Sequence, residues 1–188
     1  MTPLKLIKTY PLLIAFFLLA APAICTALPD DQNQPIYITA DAAEVDEKTG
    51  LSIYLGNVNI TQGSIVLKAQ KITIHNNESG IKKLVAIDTP AHFQLLPEVG
   101  KKPIHAFGNT IEYFVSEERI KLIKQAKLEQ EQSTFSGERI DYDIKHRIVK
   151  AYGGDQSNFD ENTPRVNLIL QPNKTSQVKS TKEVRLNE

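Results

Sequence analysis

Tyr54-Leu55-Gly56-Asn57-Val58-Asn59-Ile60-Thr61-Gln62-Gly63 is the stretch whose reading decides the fold. Tyr54, Gly56, Val58 and Ile60 fall on one side of an extended chain, and Leu55, Asn57, Asn59 and Thr61 on the other. A period of two with one apolar side is the pattern of a strand that buries one face. Gln62-Gly63 ends it as a turn. Beyond the turn, Ile65, Leu67 and Ala69, then Ile72 and Ile74, resume the alternation. Residues 54–74 therefore read as a hairpin followed by a further strand.

The same unit occurs twice. Adding 68 to a residue number maps Ile36 to Ile104, Ala40 to Gly108, Asp41 to Asn109 and Glu44 to Glu112. It also maps Val58 to Ala126, Ile60 to Leu128, Gln62 to Gln130, Leu67 to Phe135, Ile72 to Ile140 and Ile74 to Tyr142. Leu84-Val85-Ala86 finds a counterpart in Ile148-Val149-Lys150-Ala151 after a short deletion. One offset held over about forty residues marks a duplicated β unit. The repeat settles an ambiguity. Residues 111–132 are rich in Glu, Lys, Gln and Leu and favour a helix by propensity. Their first-copy counterpart is strand-like, so strand is expected there too. Elsewhere, Asp41 to Lys48 is acidic and Thr49-Gly50 a turn. Thr89-Pro90 is a break between strands at 81–87 and 91–96, and Pro97 to Pro103 is a loop. Gly153-Gly154 opens a turn-rich stretch to Pro164, and Val166, Leu168 and Leu170 mark one last strand.

The ends read differently. Lys5 and Lys8, an apolar run from Pro11 to Ile24, and small residues up to Ala27 have the layout of a secretory signal peptide over residues 1–27. The run is too short to cross roughly 30 Å of hydrocarbon, so a cleaved leader is expected over an anchor. Cys25 raises a lipoprotein, but Ile24 before it is large for a lipidation site. Residues 28–34 are polar and expected to be loose. Residues 35–170 form the folded domain. Residues 171–188, mostly Lys, Ser, Thr, Gln and Asn, are expected to be disordered. Cleavage after Ala27 removes the one cysteine, so no disulfide is available. It also removes Lys5 and Lys8, leaving 20 basic against 22 acidic residues, a net charge of −2. No nucleic-acid partner is expected from that balance.

Chemistry-bearing patterns are sparse. His75, His92, His105 and His146 have no metal-ligand spacing and no cysteine to assist them. No metal and no cofactor are expected. Asp141 and Asp143 share one strand face, as solvated carboxylates commonly do. No nucleophile elbow, P-loop or dinucleotide fingerprint occurs, so no enzymatic activity is expected. What remains is the apolar face, made of Ile36, Ile38, Tyr54, Val58, Ile60, Ile65, Leu67, Ile72, Ile74, Phe93, Tyr113, Val115, Leu122, Leu128 and Tyr142. Periodicity does not separate an ordinary packed core from a groove that takes acyl chains. The absence of tryptophan and the moderate size of the aliphatic side chains lean toward a groove.

Pro35-Ile-Tyr-Ile-Thr-Ala-Asp41, Gly56-Asn-Val58, Thr61-Gln-Gly63, Ala69-Gln-Lys-Ile72 and Pro90-Ala-His-Phe93 resemble the OstA-like family of lipopolysaccharide transport, over about residues 34–170. The resemblance implies an all-β fold, a twisted, V-shaped and open-ended antiparallel β-jellyroll built from two related units. It implies a periplasmic bridge that binds lipid A and stacks into homo-oligomers between an LptC-like inner-membrane protein and an LptD-like outer-membrane protein. Interior lipid contacts are implied at Ile36, Ile38, Phe93, Tyr113 and Val115, with Val58 and Ile60 beside them. An open sheet leaves unpaired edges. Candidates are Ile36 and Ile38 at one end and Val166, Leu168 and Leu170 at the other. The second copy departs from the family pattern, carrying Lys124-Gln125 where the first has Gly56-Asn57, which puts that strand's shape in question. His75, Asn76 and Asn77 stand where the resemblance implies basic residues, and Lys82 and Lys83 are the nearby cations. The competing expectation is a non-catalytic periplasmic scaffold or adhesin-like module with a closed core.

Overall fold

The computed structural model describes residues 31–78, 80–154 and 164–170. The signal peptide expected over 1–27 and the tail expected over 171–188 lie outside them, as do residues 28–30. A 3-10 turn, Asp31–Asn33, precedes ten strands. These are β1 Ile36–Thr39, β2 Ala42–Asp46, β3 Leu51–Gln62, β4 Ile65–Asn77, β5 Gly80–Leu95, β6 Ile104–Phe114, β7 Arg119–Gln130, β8 Ser133–Asp143, β9 Ile148–Tyr152 and β10 Asn167–Ile169. All pairings are antiparallel. The sheet runs β1-β3-β4-β5-β6-β7-β8-β10 and stays open, with β2 also on β3 and β9 also on β8. The all-β, open-ended jellyroll expected from the sequence is the fold observed.

The duplication extends to the strands. β7 lies 68 residues after β3 at both ends, and β8 starts 68 residues after β4. β6 is a continuous version of β1 and β2. β9 and β10 pair with β8 as the two halves of β5 pair with β4. The region with helical propensity, residues 111–132, is strand apart from turns at 115–118 and 131–132.

Two expectations need correcting. Thr89-Pro90 does not end a strand, because β5 runs through it for 16 residues with a cis peptide bond at that step. Asp41 to Lys48 is not merely an acidic connection. Ala42–Asp46 is an edge strand, exposed throughout, so it carries no apolar alternation by which to find it.

A line of register shifts crosses the sheet. They lie at Leu55/Val58 in β3, Lys68/Lys71 in β4, Ile87/Ala91 in β5, Phe107/Thr110 in β6 and Ile123/Ala126 in β7. Bulges bend strands and raise their twist. Aligned on neighbouring strands, they fold the sheet into two limbs. Limb one holds β1, β10 and the segments that pair around Val58–Gln62. Limb two holds β2, β9 and the segments that pair around Leu51–Leu55. One distance proves the fold-over. Tyr113 lies seven residues from Ala106, the partner of Phe93, or about 23 Å along an unbent strand. Yet the Phe93 and Tyr113 ring centroids are 5.2 Å apart.

The side chains inside the bend form the core. Phe93, Ile111, Ile120, Leu122 and Leu128 are fully buried, each contributing roughly 1.5–3 kcal/mol by leaving water. Of the fifteen residues expected to face inward, fourteen are buried or pack on the core, and Ile36 at the edge is 36% exposed.

The backbone at the bend answers the question left by Lys124-Gln125. Gly56 and Asn57 have φ of 76° and 45°, and Lys124 and Gln125 have 60° and 53°. Gly50 and Gly63 (67° and 57°) are matched in the same way by Glu118 and Glu131 (48° and 55°). Both copies take one shape, although a side chain in this region costs about 1 kcal/mol. The first copy keeps glycine for a second reason. Asp41, in the gap between β1 and β2, donates its N–H to the carbonyls of Leu55 and Gly56 at 3.0 Å each. Its carboxylate accepts from Asn57 Nδ2 at 3.0 Å. A Cβ on Gly56 would overlap that carboxylate and lie 2.8 Å from Asp41 Cβ.

Gly56→Val is therefore expected to cost about 3 kcal/mol, while Lys124→Gly is expected to be neutral or to stabilise by up to about 1 kcal/mol. Urea midpoints measure both. Equal losses at the two positions would contradict this account of Gly56.

Candidate functional site

The two limbs enclose a cleft of about 260 Å³. Limb one contributes Ile36, Ile60, Ile65, Leu67 and Phe93, and limb two contributes Ile81, Leu84 and Tyr113. Val115, just past β6, Gln62 at the end of β3, and Gln32 and Asn33 of the 3-10 turn complete it. The cleft adjoins a larger space at its mouth of about 420 Å³, and Gln32, Ile65 and Tyr113 line both. Leu95, Pro97 and Ile144 continue the apolar lining, and Asp31, Glu98, Glu118, Lys145 and Arg147 ring the mouth. Arg147 Nη2 lies 2.9 Å from Glu98 Oε1, joining the β8–β9 turn of limb two to the β5–β6 loop of limb one. Tyr113 stands where the two spaces meet. Burial, then the carboxylates of Glu118 and Asp31, push its phenol up to about 12. It stays neutral, so the cleft wall carries no charge there.

Of the seven interior residues expected from the sequence, Ile36, Ile60, Phe93, Tyr113 and Val115 line this one cleft. Val58 is sealed in the core at 1% exposure, and Ile38 packs against the core without lining the cleft. Ile81 and Leu84 were missing from that set, and so was the polar turn at Gln32. The alternation marks Leu84 as strand but does not say which inward residues border an opening. The proposed edge residues sit at opposite margins of limb one. Ile36 and Ile38 lie in β1 and Leu168 in β10, with Val166 and Leu170 flanking it. Limb two has its own margins, β2 and β9, which the edge assignment missed.

Several other polar groups pair with one another outside the cleft. Arg139 Nε donates to Asp141 Oδ1 at 2.9 Å. Asp143 accepts from the His146 N–H at 2.8 Å, and hydrogen bonds from His146 hold its carboxyl below the usual range. Lys83 pairs with Glu112 at 3.6 Å. Among the described residues, no group of three or more His, Cys, Asp or Glu could hold a metal ion. His92 and His105 do meet, with Nε2 of one 3.0 Å from Nδ1 of the other, and His92 stacks on Phe107.

An open sheet folded on itself around a cleft with mainly apolar walls, polar at the turn that borders it and charged at the mouth, defines a binding jellyroll for amphiphiles. The comparisons narrow the class. Residues 37–148 match the family described as LptA/(LptD N-terminal domain) LPS transport protein, and the chain belongs to that family. It is 37% identical to the lipopolysaccharide export system protein LptH of Pseudomonas aeruginosa, over 93% of this chain and 100% of the relative. It is 36% identical to LptA of Haemophilus influenzae, over 94% and 99%. The crystal structure of LptH, described as the periplasmic LptA homologue of P. aeruginosa, superposes with a TM-score of 0.70 at 39% identity. That match covers 77% of this chain and all of LptH as solved. The family is one of transport proteins, not enzymes. Among the described residues, no helix is long and apolar enough to cross a membrane.

The His92 environment generates a prediction. Burial first, then His105 and Lys68, hold His92 below its ordinary 6.5, with Glu129 opposing. Folded His92 therefore binds fewer protons than unfolded His92 below pH 6.5, and its contribution to stability is lost as pH falls from there. The urea midpoint is expected to drop between about pH 7.5 and about pH 5.5, and to drop less in His92→Gln. An identical pH dependence in the variant would rule this out.

Proposed function

We propose that this protein carries lipopolysaccharide across the periplasm by taking acyl chains of lipid A into the cleft between its limbs. The observation that carries the reading is the cleft itself, lined mainly by apolar side chains from both limbs and adjoining a polar mouth in a sheet with free margins. Ile36, Ile60, Phe93, Tyr113 and Val115 would touch the lipid, with Ile38 and Val58 supporting the wall behind them. Each methylene kept from water is worth about 0.8 kcal/mol. A path of aligned clefts would therefore let a lipid advance without that penalty, and no step requires catalysis.

Margins make such alignment possible. Unpaired strands invite strand addition, and pairing two different margins propagates instead of closing. Copies of this chain would stack through the Ile36–Ile38 margin of one and the Val166–Leu170 margin of the next. The terminal copies would join an LptC-like inner-membrane protein and an LptD-like outer-membrane protein. Residues 1–27 would direct the chain to the periplasm and be removed after Ala27.

A photo-crosslinking residue at Phe93 or at Tyr113 is expected to yield a lipopolysaccharide adduct in cells. No adduct at either position would favour a scaffold with a closed core. Leu168→Asp is expected to weaken self-association about tenfold or more, because it sets a charge on the inward side of the β10 margin. Light scattering that shows an unchanged mass distribution would remove β10 from the contact.

A further inference from the structure

The chain's own N-terminal turn lies over the space proposed for the cargo: Gln32 and Asn33 line the cleft, and Asp31 and Gln32 line the mouth. We propose that Asp31–Gln34 is an autoinhibitory strap, which clasps the two limbs in the unloaded protein and must leave before an acyl chain enters the cleft. This rests on the reading of the cleft as an acyl-chain site.

The strap is tied at both limbs. On limb one, the Asp31 carboxylate accepts from the Ser64 N–H at 2.7 Å and from Ser64 Oγ at 2.6 Å. Ser64 Oγ in turn accepts from the Leu96 N–H at 3.0 Å. Gln62 Nε2 donates to the carbonyls of Gln32 and Gln34 at 3.0 and 3.2 Å. On limb two, Gln32 Nε2 donates to the Val115 carbonyl at 3.4 Å. The turn buries none of its own residues. These ties are polar and none of them involves a core side chain, so releasing them leaves the core intact.

The duplication supplies an internal control. The β3–β4 turn, Gly63-Ser64, corresponds to Glu131-Gln132 between β7 and β8. Glu131 takes the same left-handed backbone as Gly63, so the turn itself does not demand glycine. The strap does. A Cβ on Gly63 would lie 3.0 Å from Asp31 Cγ and 3.1 Å from its Cα. The residue 68 positions after Asp31 is Val99, which has no carboxylate to offer. The glycine and the serine are thus fitted to Asp31 in the copy that carries the strap, and absent from the copy that does not.

The test uses the chain from residue 28 onward, which holds no cysteine of its own. Binding of the apolar dye N-phenylnaphthylamine and of purified lipopolysaccharide is measured in wild type, in Asp31→Ala and in the double variant Asp31→Cys/Ser64→Cys. If the strap occludes the cleft in most molecules, Asp31→Ala is expected to bind both probes about tenfold more tightly. The oxidised double variant is expected to bind them more weakly than wild type, with reduction reversing the loss. Affinities equal within about twofold in all forms would overturn the strap. So would failure of every form to bind the dye, since a released strap must expose apolar wall. Dye binding that follows the lock while lipopolysaccharide binds no form would keep the strap and sink the lipid reading. Lipopolysaccharide bound equally by all forms would do the reverse.

Discussion

Everything in this molecule depends on a kink that runs straight across the sheet. A flat sheet of these strands would leave its apolar face in water. A smoothly coiled one would have to close to protect it. Five register shifts on adjacent strands instead fold one face onto itself and leave both margins open. The kink also imposes a rule on sequence. To keep apolar side chains inside both limbs, a strand that crosses the bend must slip its alternation by one residue or insert two left-handed residues. β4 slips, from Ala69 to Ile72, and β8 slips, from Gly137 to Ile140. β3 and β7 insert Gly56-Asn57 and Lys124-Gln125. The bend thus sets both the core and the cleft.

Much of this was legible in the residues. The offset of 68 overrode the helix propensity of residues 111–132, because two copies of one unit cannot pack alike in different secondary structures. The change of phase between Ala69 and Ile72 is visible in the sequence too. Its meaning is not, since a single slipped strand reads as a break until its neighbours are known to slip beside it. Thr89-Pro90 shows the same difficulty. Between apolar runs it looks like a strand end, and only the pairing of Ile87 and Ala91 with β6 makes it a bulge. β2 was hidden for another reason. All five of its residues are exposed, and a strand that buries nothing has no alternation to betray it.

The site was legible by face but not by depth. Alternation places Val58 and Ile60 on the same side of β3, yet one is sealed in the core and the other borders the cleft. The difference lies in distance from the bend. Near the kink the limbs touch and fill each other's space, and farther out they part. That distance depends on which residues form the kink, which pairing decides. The His92–His105 contact was likewise invisible, since it joins residues on neighbouring strands two positions off register. The polar turn at Gln32 was invisible because nothing in a loose polar leader marks which residues will be held.

The breaks in the outermost strands have a consequence for stacking. The first strand of copy one is split into β1 and β2, and the last strand of copy two into β9 and β10, so each margin is two short strands on two limbs. β1 and β10 have four and three residues, and β2 and β9 have five each. Strands this short make weak templates alone, which protects a free copy from indiscriminate pairing. In the proposed stack, β2 would meet β9 while β1 meets β10. The second pairing would then be intramolecular and add to the first at high effective concentration. Both form together only if the partner's limbs are held at the same opening. A margin split at the bend therefore reads the shape of the neighbouring cleft as well as its backbone, and would favour joining clefts that line up.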